Sequence, residues 1–168
     1  MRKEAGNGLG IEFTFCVLGT PQQRGSKISH PIYRNGKPVF KNGRVQCIAR
    51  DQNDKKSKVW TEEVKAVAFA AMHDVGIVGV TYDPIEIEID FYFVRPKSHY
   101  GSGKNQRQLR SSAPELHTKS PDLDKLCRCF GDALSKVVWY DDKQIYKWIA
   151  SRHYTTEMDR TEVTIRIF

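Results

Sequence analysis

The sequence lacks the long apolar segments that would place a protein in a membrane or mark it for export. No run approaches the roughly 18 apolar residues of a membrane helix, so we expect no membrane association. Residues 1–10 contain no apolar core of a secretory signal, so we expect a cytoplasmic location. No internal repeat is apparent. The 168 residues, 39% hydrophobic and 11% aromatic, predict a single domain over 1–168 with a flexible end at 1–10.

The sequence also lacks the Cys-x-x-Cys pair that is typical of zinc sites. Its four cysteines are Cys16, Cys47, Cys127 and Cys129. Cys127 and Cys129 stand two residues apart on a predicted helix, so they point in different directions. Buried free thiols in a reducing compartment are the favoured interpretation, and a zinc site that uses His117 or His153 is the alternative.

Acidic residues are scarce in the first third of the chain. Residues 1–58 hold twelve Lys/Arg and four Asp/Glu, whereas the other 110 residues hold fifteen and sixteen. A basic region that is separate from the acids favours a surface for nucleic acid, with ordinary solvated lysines as the alternative.

The hydrophobic pattern predicts the main elements. Alternation and short apolar runs predict strands at 11–18, 84–94, 137–140, 144–152 and 161–168. We expect 11–18 to be buried, and the acids of 84–94 to form a solvated face. Apolar residues at helical spacing predict helices at 54–74 and 121–135. The order of elements predicts an α+β fold, with a mixed β-sheet packed against two main helices.

Two basic segments carry the candidate DNA contacts. Asn35-Gly36 and Asn42-Gly43 predict β-hairpins over 31–50, because Asn-Gly suits a type I′ turn. Residues 95–116 are basic and poor in apolar residues, as in a functional or disordered loop that orders on binding nucleic acid. The candidate phosphate contacts are Arg24, Lys27, Lys37, Lys41, Arg44, Lys104, Arg107, Lys119 and Lys125.

Four aspartates flank the second predicted helix and the apolar run after it. Asp122 and Asp124 lie at the start of this helix, and Asp141 and Asp142 follow the apolar run. If a return strand brings the two pairs together, they would hold a hard divalent cation such as Mg²⁺. Arg128, one helical turn after Asp124, would stabilise charge on a phosphate.

Each Asp pair also has an ordinary structural explanation. Ser120-Pro121 resembles a helix N-cap followed by the first helical residue, after which acids complement the helix dipole. Asp141-Asp142 suits a turn. The residues alone leave both interpretations open.

An ordered set of motifs crosses residues 117–144. The chain reads HTKSPDLDKL from His117, then DAL from Asp132, then DDKQ from Asp141. It resembles the RusA family of Holliday-junction resolvases of phages and prophages, whose pattern is approximately H-x-x-K-P-D-x-D-N-L-x-K, D-A-L and D-D-x-Q. Motif identity covers about thirty residues, and a weaker likeness extends over most of the chain.

The resemblance implies a small α+β homodimer, phage- or prophage-encoded, that nicks four-way or branched DNA with Mg²⁺ or Mn²⁺. It implies that Asp122, Asp124 and Asp142 hold the metal, with Asp141 close by. The family's catalytic Lys falls on Arg128. Its usual Asn falls on Lys125, and its Lys before Pro falls on Ser120.

The sequence therefore predicts a metal-dependent endodeoxyribonuclease that resolves Holliday junctions by paired symmetric nicks in DNA recombination and repair. The alternative is a catalytically weakened or inactive protein that binds branched DNA, because Arg128 and Lys125 depart from the family pattern. A nuclease or binding protein directed at RNA is a further competitor.

Overall fold

The computed structural model describes residues 10–25, 27–51 and 54–168, and only the backbone of Lys27, Arg50, Asp51 and Asp54. The predicted flexible end therefore lies outside the described residues, except for Gly10. The helices are α1 (Asp54–Asp74) and α2 (Leu123–Leu134). The strands are β1 (Ile11–Leu18), β2 (Lys27–Pro31), β3 (Tyr33–Arg34), β4 (Lys37–Pro38), β5 (Phe40–Lys41), β6 (Arg44–Val45), β7 (Cys47–Asp51), β8 (Ile85–Val94), β9 (Ile145–Thr155) and β10 (Arg160–Ile167).

A four-stranded mixed sheet with the order β1-β10-β8-β9 forms the centre of the fold. β10 pairs antiparallel with both β1 and β8, and β9 runs parallel to β8. Strict alternation along β1 buries Phe13, Phe15 and Val17 and exposes the residues between them, so this strand is half-buried rather than buried as predicted. The predicted α+β class with a mixed sheet and two main helices is confirmed.

Both helices contribute to one hydrophobic core with the sheet. α1 packs against β1 and α2, and α2 packs against β9. Apolar residues at helical spacing account for the packing, since both helices bury one stripe. The buried stripe residues are Trp60, Val64, Ala68 and Met72 on α1 and Leu126, Cys129, Phe130, Ala133 and Leu134 on α2.

All four cysteines are free thiols, as predicted, but only Cys129 is buried. Cys16 and Cys47 are exposed and Cys127 is intermediate. Cys16 faces away from the core because it alternates with Phe15 and Val17 on β1.

Residues 137–140 form a turn and not the predicted strand. Lys136 adopts a positive φ of 67°, and its backbone N–H donates to the Trp139 carbonyl at 2.7 Å. Val138 and Trp139 are fully buried in the core. Core packing therefore explains the buried residues of this run, and its strand pairing is limited to isolated bridges of Trp139 with Thr81 and Ser135.

The start of α2 also differs from the sequence prediction. The N-cap is Asp122, not Ser120, and the Ser120-Pro121 peptide bond is cis. Pro121 therefore precedes the cap instead of occupying the first helical position. The Asp122 side chain makes no capping hydrogen bond.

The acids of β8 do not form a plain solvated face. Glu86 is only 7% exposed, because β8 lies between two other strands of the sheet. Its carboxylate accepts from Arg166 at 2.9 Å and from the Tyr146 hydroxyl at 3.0 Å, and it pairs with Lys147 at 3.1 Å. The solvated-face prediction is wrong for this residue.

Residues 27–51 form a small arm in which two hairpins extend from a two-stranded base. β2 pairs with β7, β3 with β4 and β5 with β6, and none of them joins the central sheet. Asn35 and Asn42 have φ of 51°, and the glycines after them have φ of 73° and 72°, as the Asn-Gly turns predict. The N-terminal hairpins are thus confirmed.

The arm contains a short repeat that was not apparent in the sequence. Tyr33–Pro38 and Phe40–Val45 each read aromatic, cation, Asn, Gly, cation, apolar residue. Each copy forms one of the two small hairpins. Only the Asn and the Gly are identical in the two copies, so the repeat is one of residue type rather than of identity.

The basic loop over 95–116 has local structure. It contains 3₁₀ turns at Lys97–His99 and Gly103–Asn105, and a bridge pairs Tyr100 with Leu109. The Arg95 guanidinium donates to the Pro114 carbonyl at 2.6 Å, which ties the two ends of the loop together. No helix among the described residues is long and apolar enough to cross a membrane.

Candidate active site

The segment before α2 is fixed by hydrogen bonds to its backbone. The Asp122 N–H donates to the Gln23 side-chain carbonyl at 2.8 Å, and the Arg24 N–H donates to the Lys125 carbonyl at 3.2 Å. On the other side, the Arg152 guanidinium donates to the carbonyls of Lys119 and Pro121. The loop after β1 and the strand β9 therefore both help to fix the position of Asp122.

His117, the first residue of the motif, has a structural position. It is 7% exposed, and its ring lies 4.6 Å from the rings of both Phe93 and Tyr154. Burial lowers the pKa of His117 and favours the neutral imidazole. The residue thus helps to pack the segment that leads into α2.

Asp122 and Asp124 lie at the exposed start of α2. The Lys125 ammonium is 2.7 Å from the Asp122 carboxylate. This hydrogen bond lowers the pKa of Asp122 and raises the pKa of Lys125, with a further contribution from the charge of Asp124 to Lys125. Lys125 is therefore the counter-charge of this acidic pair in the structure.

The second acidic pair follows the turn after α2. Asp141 is the N-cap of a 3₁₀ turn at Asp142–Gln144, where its carboxylate accepts from the Lys143 N–H at 3.0 Å. Gln144 completes the capping box by accepting from the Asp141 N–H at 2.7 Å. The backbone N–H and ammonium of Lys143 lower the pKa of Asp141. The D-D-x-Q motif therefore forms a capped turn that is closed by its own hydrogen bonds.

Two further contacts orient this turn against the rest of the protein. The buried Trp139 indole N–H donates to the Asp142 carboxylate at 2.8 Å. The Gln144 amide donates to the carbonyls of Thr81 at 3.1 Å and Asp83 at 3.0 Å. Asp142 is exposed, but the buried Trp139 indole fixes the position of its carboxylate.

A groove between α2 and the start of β9 brings Asp142 and Arg128 together. Lys147 and Trp148 line the groove from β9. From α2, Asp132 also lines it, and the Arg24 guanidinium pairs with this carboxylate at 2.7 Å. A charged groove with both signs can take a phosphate on its cations and a metal ion on its acids.

The structure does not bring Asp122, Asp124 and Asp142 onto one ion. Among the residues that the structure describes, no three His, Cys, Asp or Glu side chains lie close enough to share a metal. Neither Asp122 nor Asp124 lines the groove of Asp142. The physical reason is the tight turn after α2, which replaces the expected return strand and leaves Asp142 beside the middle of the helix.

The predicted DNA contacts occupy different settings. Lys37, Lys41 and Arg44 are exposed on the arm, and Lys104, Arg107 and Lys119 are exposed nearer the C-terminal half. Arg24 and Lys125 form the ion pairs described above. The side chain of Lys27 lies outside the described residues.

The sequence reasoning missed three groups of the groove. Asp132 belongs to the D-A-L motif and follows Arg128 by four residues, so the two share a helical stripe, which is a signal that could have identified it. Lys147 and Trp148 lie on β9, outside the motif, so no local sequence pattern links them to Arg128. No local signal pointed to the Trp139 hydrogen bond.

The groove and its motif can be compared with known proteins. The family of endodeoxyribonuclease RusA matches residues 35–166. This chain belongs to the RusA endodeoxyribonuclease family. It is also 29% identical over 152 residues to the uncharacterized protein YqaN of Bacillus subtilis (strain 168), which covers 90% of this chain and 94% of YqaN.

Membership of the RusA family implies endodeoxyribonuclease activity on branched DNA. The matched region contains both acidic pairs, Arg128, Lys125 and most of the arm. The roles of the individual residues in the RusA motif stay predictions.

Proposed function

We propose that this chain is a Mg²⁺-dependent endodeoxyribonuclease that resolves four-way and other branched DNA by paired symmetric nicks, in recombination and repair. The observation that carries the proposal is the RusA family match over residues 35–166. The groove that holds Asp142 and Arg128 supports it, because it combines an acid and a cation where a phosphate can enter.

The acids of the motif are chemically suited to the metal. Asp122, Asp124 and Asp142 would hold Mg²⁺ or Mn²⁺, with Asp141 beside them. All are carboxylates, the donors that Mg²⁺ prefers, and the three proposed ligands are exposed, so an ion can reach each of them from solvent. When bound, the ion supplies polarisation of a phosphate oxygen and an activated water.

Arg128 has a separate role in this proposal. Its guanidinium is exposed at the groove and offers a planar set of N–H donors that suits a phosphate. It therefore donates hydrogen bonds to the phosphate and stabilises the negative charge that develops there. Arg128 does not act as a general base, because it does not release its proton.

The proposal includes a homodimer. A two-fold dimer presents two such grooves to a junction that has two-fold symmetry, which gives paired nicks. The cations of the arm and of the 95–116 loop hold the DNA arms through phosphates, so selectivity comes from the shape of the DNA.

A second candidate is a branched-DNA-binding protein without nuclease activity. It is favoured by the Lys125 ammonium on Asp122 and by the lack of a three-ligand group within the described part of the chain. In this case the Lys125 ammonium keeps a metal ion off Asp122, and the groove binds phosphate at Arg128 without cutting it.

Nicking of a synthetic four-way junction in Mg²⁺ separates the two candidates. We expect the wild-type protein to nick the junction and the Asp122→Asn variant to lose about a hundredfold or more in rate, because a metal ligand is removed. Junction affinity, measured without metal, should stay within about threefold.

Asp74→Asn is the matched control, since Asp74 is an exposed acid at the end of α1. It should cut like the wild type. Undiminished cutting by Asp122→Asn would refute the site assignment. Binding without cutting by the wild type would support the second candidate.

A further inference from the structure

The arm of residues 27–51 ends in two matched hairpin tips. Each tip places two cations opposite one another, next to an aromatic residue that faces an apolar one. The cross-strand pairs are Arg34 with Lys37 and Tyr33 with Pro38 in the first tip, and Lys41 with Arg44 and Phe40 with Val45 in the second. One short recognition unit is therefore presented twice.

Backbone hydrogen bonds lock the two tips to each other and to the base of the arm. The Ile32 N–H donates to Gln46 at 2.8 Å, the Gln46 N–H donates to Val39 at 2.7 Å, and the Val39 N–H donates to Ile32 at 2.8 Å. This closed ring of three bonds joins the two hairpins and the β2–β7 base at one point. Both tips are consequently preorganised, which reduces the entropy that binding costs.

The aromatic rings of the tips are left open. Tyr33 is 63% exposed and Phe40 is 59% exposed. Neither ring contacts another ring among the described residues. Ile32 and Val45, which are 37% and 41% exposed, extend the apolar surface of the same module. Clustered exposed apolar residues of this kind mark a binding surface.

The cations of the tips have no acidic partner in the part of the chain that the structure describes. Arg34, Lys37, Lys41 and Arg44 are all exposed. Positive charge interleaved with open aromatic rings is complementary to a polyanion that also offers flat apolar faces. Single-stranded nucleic acid has both properties, because its backbone is charged and its bases are unstacked.

We propose that the two tips form a binding site for unpaired bases of branched DNA, in which Tyr33 and Phe40 stack on bases while the four cations hold the flanking phosphates. This inference rests on the proposed function for the identity of the DNA and adds a second type of contact to it. A continuous duplex does not satisfy the site, because its base faces are already stacked. Bases at a branch point are free to leave the stack.

Binding measurements in Ca²⁺ without Mg²⁺ test the site independently of cutting. The probes are a four-way junction with unpaired thymines at its centre, a single strand and a matched duplex. We expect Tyr33→Ala/Phe40→Ala to lose about tenfold or more in affinity for the junction and the single strand, and to keep its duplex affinity within about twofold. Tyr33→Phe/Phe40→Tyr should bind like the wild type.

Phe69→Ala is the matched control, since Phe69 is 61% exposed on α1. It should leave all three affinities unchanged. Far-UV circular dichroism and Tm check that the alanine variant folds. Because the nicking assay is separate, a wild type that never cuts but shows this affinity pattern leaves the arm proposal intact and removes only the nuclease proposal.

A second variant gives a direct optical readout. Stacking on a base should quench the added fluorescence of Tyr33→Trp when the single strand or the junction is titrated in, and the duplex should cause no such quenching. The proposal is overturned if the alanine variant keeps its junction affinity, or if it loses duplex affinity equally. It is also overturned if the variant changes sedimentation behaviour, since the apolar residues would then bind a second copy of the chain.

Discussion

Two acidic residues of the motif, Asp122 and Asp141, are each paired with a neighbouring lysine. Asp122 contacts the Lys125 ammonium at 2.7 Å, and Asp141 contacts the Lys143 ammonium at 3.2 Å. Both pairs are substantially exposed, and exposed ion pairs contribute little free energy. A divalent cation can therefore replace either ammonium at small cost.

Lys125→Asn should make metal binding easier, because it removes the cation that competes for Asp122. We expect the Mn²⁺ concentration for half-saturation to fall by about threefold to tenfold. Mn²⁺ titration by electron paramagnetic resonance measures this without any cutting. The control is Lys65→Asn, which breaks a pair of the same i,i+3 spacing with Glu62 on α1. Unchanged Mn²⁺ affinity in Lys125→Asn would show that Asp122 does not bind the metal.

Trp139→Phe should disturb the orientation of Asp142, because the buried indole is its hydrogen-bond donor. We expect single-turnover nicking to fall by about tenfold while junction affinity stays unchanged, as for a positioning residue. Trp60→Phe is the control, since that indole is also buried and has no hydrogen-bond partner among the described residues. Equal rate losses in both variants would mean that core packing alone is responsible.

At the scale of elements, α2 and the turn after it form the scaffold of the site. The helix buries one stripe in the core and presents Asp124, Arg128 and Asp132 on another. The turn returns the chain to β9 through a capped 3₁₀ turn. The groove thus depends on the angle at which this turn leaves the helix.

Gln144→Ala should loosen this turn, because Gln144 joins the capping box to the carbonyls of Thr81 and Asp83. We expect the free energy of unfolding in urea to fall by about 1–2 kcal/mol. Lys143→Ala is the control; its side chain is 82% exposed, and we expect a change below about 0.5 kcal/mol. If the Gln144→Ala variant is as stable as the wild type, the hydrogen bonds of Gln144 contribute no net stability, because water replaces them.

At the scale of the whole molecule, the sequence predicted the elements with strong local signals. The alternation of β8 and β10, the helical stripe of α1 and the two Asn-Gly turns each reflect a pattern within a few residues. Strand order and the burial of Glu86 could not be predicted, because they depend on partners far along the chain. Apolar residues 137–140 misled the prediction, since a turn buried in the core has the same composition as a strand.

For the candidate site, too, local sequence signals identified some residues, and contacts between distant residues added the others. The motif located Asp122, Asp124, Asp142 and Arg128, and the structure places only the last two in one groove. Tertiary packing places the other residues that line the groove, among them Asp132, Lys147 and Trp148. A closed metal site requires side chains to move or a partner to bind, which a motif does not encode.

Cleavage mapping on a strand-labelled four-way junction shows whether the protein resolves branched DNA by paired nicks. The wild-type protein is incubated with the junction in Mg²⁺, and the products of each strand are separated on a denaturing gel beside a duplex of the same sequence. We expect paired cuts at symmetric positions in two opposing strands of the junction and no cuts in the duplex. A junction that is bound but left intact, or a duplex that is cut as readily, would contradict it.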